Sequence, residues 1–128
     1  MDNLFEDKNY VKMLESIIET SFDGIYVTDG EATTILINKS YERITGLKRE
    51  DLIGRNMAEF VSQGVMSEAT SFSVLKTKRP VTLYQTFNTG KSALVTSTPF
   101  FDENEKIKMI VTNVRDITEL KELQEKDN

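Results

Sequence analysis

The 128-residue chain contains no cysteine, no histidine and no tryptophan. Without cysteine it can form no disulfide, and it offers no thiolate to a metal ion or a substrate. Without histidine it has no imidazole ligand for haem or zinc, and no side chain whose ordinary pKa lies near neutrality. These absences exclude the commonest haem, zinc and thiol chemistry from any function of this chain.

Long apolar runs and an excess of basic residues are missing too. No run is long enough to cross a bilayer, and the acidic N-terminus (Asp2, Glu6 and Asp7) is unlike a secretory signal. With 16 basic against 21 acidic side chains, the formal net charge is −5, which argues against direct nucleic-acid binding. We therefore expect a cytoplasmic segment without membrane or nucleic-acid contact.

What is present indicates one soluble globular domain. Hydrophobic residues make up 38% and charged residues 29% of the chain, and the length suits a single core. β-Branched and aromatic runs predict five strands, at 25–29, 33–37, 81–88, 91–101 and 107–116. Helical patterns lie between the second and third strands. This order predicts an α+β fold, a single five-stranded antiparallel sheet with helices on one face.

The stretch from Phe22 to Gly54 is the most informative part of the sequence. Its first two strands are separated by Asp29-Gly30, a dipeptide that accepts the positive φ of a hairpin turn. Asn38 stands where the N-cap of a helix over Lys39–Thr45 belongs, and Gly46 follows as its stop. We expect a hairpin leading directly into a short capped helix.

Shorter signals organise the second half. Met57–Ser62 predicts one helix, and a further helix capped by Ser67 stops at Arg79-Pro80. Asn88-Thr89-Gly90 predicts the turn between the third and fourth strands. Asp116 precedes Glu119 by three residues, which resembles a capping box at the start of a last helix.

Amphipathic helices are predicted at both ends. Residues 1–21 carry an apolar stripe that includes Val11, Leu14 and Ile18. This stripe fits a helix packed on its own domain and also a dimerising helix, and both readings stay open. Residues 117–128 carry a narrower stripe through Ile117, Leu120 and Leu123, flanked by charge.

The order and spacing of these motifs resemble a PAS domain over roughly residues 16 to 122. The motifs that match are Asp23-Gly24, Asp29-Gly30, Asn38, Gly46, Glu50–Gly54, Asn88–Gly90, Pro99 and Val114–Thr118. The resemblance implies the PAS fold, with an N-terminal dimerisation helix over 1–21, a core over 22–116 and a signalling helix that begins at 117. It also implies an input domain cut from a longer protein, with an effector domain following it.

The same resemblance implies which side chains surround a ligand. Both faces of each strand are partly apolar, so alternation alone does not decide which face is inward. By resemblance, the inward strand positions are Tyr26, Thr28, Gln85, Ala93, Val95, Ser97, Thr112 and Val114, joined by Asn38, Tyr41 and Phe72 from the helices. Phe60, Val65 and Leu75 fit pocket lining or plain core packing. A core filled entirely by its own side chains is the alternative to a ligand pocket.

The cofactor stays unknown at this point. Haem held by histidine and a flavin–cysteine adduct are excluded by composition. Flavin itself is disfavoured, because flavin-binding relatives place a second amide where this chain has Ala93. No inward arginine or lysine is evident for a carboxylate ligand. The mixture of apolar side chains, hydroxyls and one amide suits a small neutral or weakly polar ligand.

Two functions follow, and neither is enzymatic, because no nucleophile–base pair or converging carboxylates are evident. In the first, the domain binds a small molecule and relays a change to the C-terminal helix. In the second, it is a ligand-free homodimerisation domain of a signalling protein. The sequence of the second half most resembles the N-terminal PAS domains of bacterial sigma-54-dependent transcriptional activators. Sensor histidine kinases of two-component systems and diguanylate cyclases are the alternatives.

Overall fold

The fold was analysed in a computed structural model that describes residues 8–63 and 70–126. Its elements are α1 (Lys8–Thr20), β1 (Gly24–Asp29), β2 (Thr34–Ile37), α2 (Lys39–Thr45), α3 (Arg49–Leu52), α4 (Met57–Ser62), α5 (Thr70–Thr77), β3 (Val81–Thr86), β4 (Ser92–Phe101), β5 (Ile107–Asp116) and α6 (Thr118–Lys126). The expected cap at Ser67 and the candidate lining residue Val65 lie outside the described residues. In the part of the chain described here, no helix has the length and apolarity needed to cross a membrane.

The five strands form one antiparallel sheet in the order β2-β1-β5-β4-β3. The last strand, β5, therefore lies at the centre, between the first strand and the β3–β4 hairpin. Helices α2 to α5 come between β2 and β3 in the chain, as predicted, and α2 and α5 pack against the sheet. The predicted α+β fold is confirmed.

One face of the sheet is covered and the other is largely open. Burial alternates along β4, where Ala93, Val95 and Ser97 are buried while Leu94 is exposed. Side chains of a strand point alternately to opposite faces, so the covered face carries the buried set. We call this covered face the inner face and the opposite one the outer face.

The turn between β1 and β2 differs from its prediction. Gly30 does not adopt positive φ, whereas Ala32 does, at 69°. Glycine is needed at position 30 for space, because a Cβ there would lie 2.1 Å from the carbonyl oxygen of Ile107. The dipeptide signal located the turn correctly, but the reason for its glycine is a close approach by β5.

Helix α2 begins and ends as the sequence predicts. The Asn38 side chain accepts a hydrogen bond from the backbone N–H of Tyr41, and Gly46 adopts φ of 80°. At the start of α6, the Asp116 carboxylate accepts the N–H of Thr118 at 2.9 Å. The capping acid was identified correctly, but its partner is Thr118, whereas a capping box would pair it with Glu119.

Helix α1 extends from the domain with its apolar stripe uncovered. None of its residues is buried, and Val11 and Ile17 are 53% and 59% exposed. It contacts α2 near its C-terminal end, where Ile18 is half-buried. The two readings of this stripe are packing on its own domain and dimerisation; the end of α1 packs on the domain, and dimerisation stays a prediction.

Candidate ligand site on the inner face

Two tyrosines form the aromatic centre of the inner face. Tyr26 comes from β1 and Tyr41 from the first turn of α2, and their ring centroids lie 5.1 Å apart. Burial raises the pKa of both phenols, that of Tyr26 to about 12, so both rings are neutral at physiological pH. The Tyr26 hydroxyl shares a hydrogen bond with the Thr34 hydroxyl.

A chain of three hydroxyls crosses the middle of this face. Ser97 on β4 is hydrogen-bonded to Thr112 on β5 at 2.6 Å and to Thr70 at the start of α5 at 2.5 Å. All three side chains are buried. These two hydrogen bonds fasten α5 to the sheet and use two of the three hydroxyl donors, so each of the three hydroxyls is paired within the protein.

Asn38 and Thr28 are also occupied by the protein itself. The Asn38 oxygen accepts the backbone N–H groups of Ile25 and Tyr41, and its NH₂ donates to the carbonyls of Ile18 and Asp23. Thr28 donates to the carbonyl of Asp29. These four contacts use all the hydrogen-bonding capacity of the amide, so Asn38 joins backbone segments and is not free to bind a ligand.

Two polar groups on this face have no such partner. Tyr41 is only 5% exposed, and its hydroxyl makes no hydrogen bond with any described residue. The half-buried Gln85 amide on β3 likewise has no partner in the described part of the chain. Buried polar groups in native proteins nearly always find a partner, so the Tyr41 hydroxyl stands out on this face, whereas the half-buried Gln85 amide can still meet water.

The described residues contribute no buried charge to the inner face. Among residues 8–63 and 70–126, no Asp, Glu, Lys or Arg side chain is buried. No group of three or more potential metal ligands is present in these ranges either. An ionised ligand would have no countercharge here, and an unpaired buried charge is costly.

The predicted site residues are mostly brought together. Buried on the inner face are Tyr26, Thr28, Tyr41, Ala93, Val95, Ser97, Thr112 and Val114, with Gln85 and Phe72 half-buried beside them. Phe60 is buried in the same core, and Leu75 packs against it. Their role in binding a ligand stays a prediction. Sequence analysis missed Thr34 and Thr70, whose hydroxyls become inward only through contacts with distant residues.

The start of α6 is fastened to β4. Ser92 accepts the N–H of Ile117 on its carbonyl and donates its own N–H to the Thr118 hydroxyl, both at 2.9 Å. On the outer face, the Tyr84 hydroxyl donates to the Ser92 hydroxyl at 3.1 Å. The Lys121 ammonium lies 5.4 Å from the Tyr84 ring centre, and its hydrogen bond lowers the pKa of Tyr84 to about 8. Tyr84 therefore contacts both the sheet and the outgoing helix.

A second set of contacts holds the end of α1. Arg49 forms ion pairs with Glu19 at 3.1 Å and with Glu42 at 3.3 Å. Hydrogen bonds from Arg49 hold the pKa of both carboxyls below the usual range. Together with the Asn38 contact to Ile18, this cluster ties the end of α1 to α2, which carries Tyr41.

An open groove of about 550 Å³ lies at the β1–β2 turn, and Leu75, which packs against the inner-face core, is among its lining residues. Asp29, Glu31, Lys78 and Lys106 line it with mixed charge. The Asp29 carboxylate already accepts the N–H groups of Glu31 and Thr33, which hold the turn.

Comparison with known proteins agrees with this geometry. The family model described as the PAS fold matches residues 12–117. The PAS domain of Bordetella pertussis BvgS is 22% identical, with a TM-score of 0.65, over 93% of this chain and 94% of that one. A PAS domain from Colwellia psychrerythraea is 24% identical, with a TM-score of 0.58, over 86% and 98%.

A larger protein also shares the fold. An RNA-binding Light-Oxygen-Voltage receptor is 17% identical, with a TM-score of 0.68, and the match covers 93% of this chain but 36% of that one. The search of curated proteins gave no match. At these identities the solved structures establish the fold alone.

Proposed function

The chain belongs to the PAS family of sensory domains, and from that premise we propose that it binds a small molecule on its inner face and relays binding to an effector through α6. The effector would follow in the parent chain, in bacterial transcription regulation or a two-component system. The segment itself carries out no catalysis in this proposal. The residues proposed to contact the ligand are the predicted inward-facing ones except Asn38: Tyr26, Thr28, Tyr41, Phe72, Gln85, Ala93, Val95, Ser97, Thr112 and Val114.

The observation that carries this proposal is the unpaired hydroxyl of Tyr41. It is buried in the aromatic cluster of a face whose other hydroxyls are paired. An unpaired buried hydroxyl costs about 1–3 kcal/mol, so a molecule that accepts its hydrogen bond stabilises the domain. Pairing of the Tyr41 hydroxyl would therefore contribute favourable free energy to ligand binding.

The relay runs along β4 and β5. Ser97 and Thr112 are paired partners in the middle of these strands, whereas Ser92 at the start of β4 holds α6. The five residue steps from Ser97 back to Ser92 span roughly 17 Å of β4. A displacement of the β4–β5 pair on ligand binding would therefore also move the start of α6, which is bonded to Ser92. Tyr84 provides a second contact between β3 and α6.

The test is a thermal-shift screen of a library that contains charged and uncharged small molecules. A compound present at about 100 times its Kd adds about 2.7 kcal/mol to the free energy of unfolding, which shifts Tm by several degrees. Ala93→Leu fills the buried position beside Gln85 and should remove the shift, while Ala58→Leu on the exposed face of α4 should keep it. Ala93→Val serves if the leucine variant does not fold. Equal Tm shifts in the Ala93→Leu and Ala58→Leu variants would overturn the inner-face site.

Homodimerisation is the second candidate, and one observation favours it. The stripe of α1 is uncovered, and so are the outer-face residues Leu94 and Phe100, at 41% and 47% exposure. Two apolar surfaces of this kind on one domain are typical of an association surface. The predicted interface residues Val11, Leu14 and Ile18 lie on this helix, and dimerisation is compatible with ligand binding.

A further inference from the structure

The groups left unpaired on the inner face specify the chemistry of the ligand, given the proposed function. We infer that the ligand is an uncharged, mostly apolar molecule with a hydrogen-bond acceptor that receives the Tyr41 hydroxyl proton, and a polar group that meets the Gln85 amide. Carboxylates, phosphates and amines are outside this class. The class follows from which groups are free and which are already used.

The first step concerns the location of Tyr41. Its backbone lies directly over β1, because a Cβ added to Gly24 would come within 2.9 Å of the Tyr41 Cα and 3.2 Å of the Val114 Cβ. Tyr41 packs in the same buried cluster as Val114, Val95 and Ala93. Its ring lies 5.1 Å from that of Tyr26 within this cluster, so Tyr41 is placed over β1 and close to β5.

The second step places Gln85 on the other side of that cluster. Val114 pairs with Val95, two residues from Ala93, and Ala93 pairs with Gln85 on β3. Two strand spacings separate β5 from β3, roughly 10 Å. Tyr41 and Gln85 thus border a floor of short aliphatic side chains, which favours an apolar molecule with polar groups at two ends.

The third step concerns what each group accepts. Burial raises the pKa of the Tyr41 phenol, which therefore stays protonated and offers a donor. The hydroxyls of Tyr26, Ser97 and Thr112 are bonded to one another or to threonines, so Tyr41 is the buried tyrosine whose hydroxyl has no partner among the described residues. With no buried charge among the described residues, neutrality of the ligand follows.

The test compares three probes of similar size: acetophenone, which has an uncharged acceptor; ethylbenzene, which has none; and benzoate, which is charged. Each is titrated into the full chain, with Tm and the chemical shifts of inner-face methyl groups as readouts. Acetophenone should bind more tightly than the other two. Tyr41→Phe should weaken acetophenone about tenfold, the value of one hydrogen bond, and leave ethylbenzene unchanged.

Tyr26→Phe is the matched control, since it removes a hydroxyl from the adjacent ring. It leaves Thr34 without its partner, so the unliganded variant should melt below the wild type, whereas unliganded Tyr41→Phe should melt at or above it. A lower Tm for Tyr41→Phe would show that the hydroxyl has a partner, such as an internal water, and would overturn the inference. Acetophenone binding that Tyr41→Phe leaves unchanged would overturn it as well.

The same experiments separate failure of this class from failure of the proposed function. Tighter binding of benzoate than of acetophenone, or no response to acetophenone, overturns the uncharged class. If the library screen still yields a compound whose shift Ala93→Leu removes, the inner face binds a ligand of different chemistry and the sensory proposal stands. If the screen yields none, both proposals fail together.

Discussion

Replacing Asn38 by alanine is expected to lower the free energy of unfolding by about 3–5 kcal/mol, a change in Tm of roughly 10–20 °C. The amide is 1% exposed and forms four hydrogen bonds to the backbone. Alanine removes the cap of α2, takes the side-chain partner from the Ile25 N–H and the Asp23 carbonyl, and leaves the Ile18 carbonyl with only the 3.4 Å bond from the Ser21 N–H. Each such buried group costs about 1–3 kcal/mol when water does not reach it.

Asn56→Ala is the control for this prediction. Asn56 is also an N-cap that accepts the N–H of Ala58, and its NH₂ donates to the Glu31 carbonyl at 2.7 Å and to the Thr33 hydroxyl at 3.3 Å. It is only half-buried, however, so water can replace these partners. Its replacement should cost about 1 kcal/mol, the usual value of a cap. Chemical denaturation of both variants measures the difference. Equal losses would show that the backbone groups around Asn38 are reached by water and that the amide is an ordinary cap.

Replacing Leu14 by aspartate is expected to turn a dimer into a monomer. Leu14 lies on the apolar stripe of α1 and is 41% exposed. If this stripe is buried against a second copy, a carboxylate there is desolvated without a partner and weakens association at least 100-fold, because the cost is several kcal/mol. Sedimentation equilibrium at micromolar concentration should give about twice 14.6 kDa for the wild type and 14.6 kDa for the variant.

Ser16→Asp adds the same charge to the opposite side of α1, 200° around the helix from Leu14. Ser16 is exposed, and its replacement should leave the dimer intact. A wild type that stays monomeric at high concentration would rule out the dimer. Dimers of both variants would move the interface away from α1, and the outer face with Leu94 and Phe100 would be the next surface to test.

Local signals in the sequence were sufficient for most of the fold. Asn38 and Gly46 marked the ends of α2 because capping depends on residues within one helical turn. Runs of β-branched and aromatic residues located the strands, and β5 was predicted with its observed bounds. The order of the strands in the sheet was not predicted, since strand periodicity does not determine which strands are neighbours.

Features that depend on distant contacts were not predictable in the same way. The glycine at position 30 is required by the Ile107 carbonyl, more than seventy positions later in the chain. The periodicity of α1 revealed a stripe but not that the stripe would lack a cover. Such properties arise when elements assemble, so local sequence patterns do not contain them.

The candidate site shows the same limit. The resemblance selected the inward face, and burial agrees with it at Tyr26, Val95 and Val114. It could not distinguish the satisfied hydroxyls of Ser97 and Thr112 from the unpaired hydroxyl of Tyr41, because that depends on partners in other elements. The polar positions looked equivalent in the sequence, and only the structure separates those that hold the fold together from those free for a ligand.

The most direct test of ligand binding on the inner face is native mass spectrometry of the freshly purified chain, before and after incubation with acetophenone, beside a denatured control and Ala93→Leu. We expect the wild type to carry an added mass that is lost on denaturation and absent from the variant. A wild type with the mass of the protein alone under both conditions, or an added mass equally retained by Ala93→Leu, would contradict the proposed site.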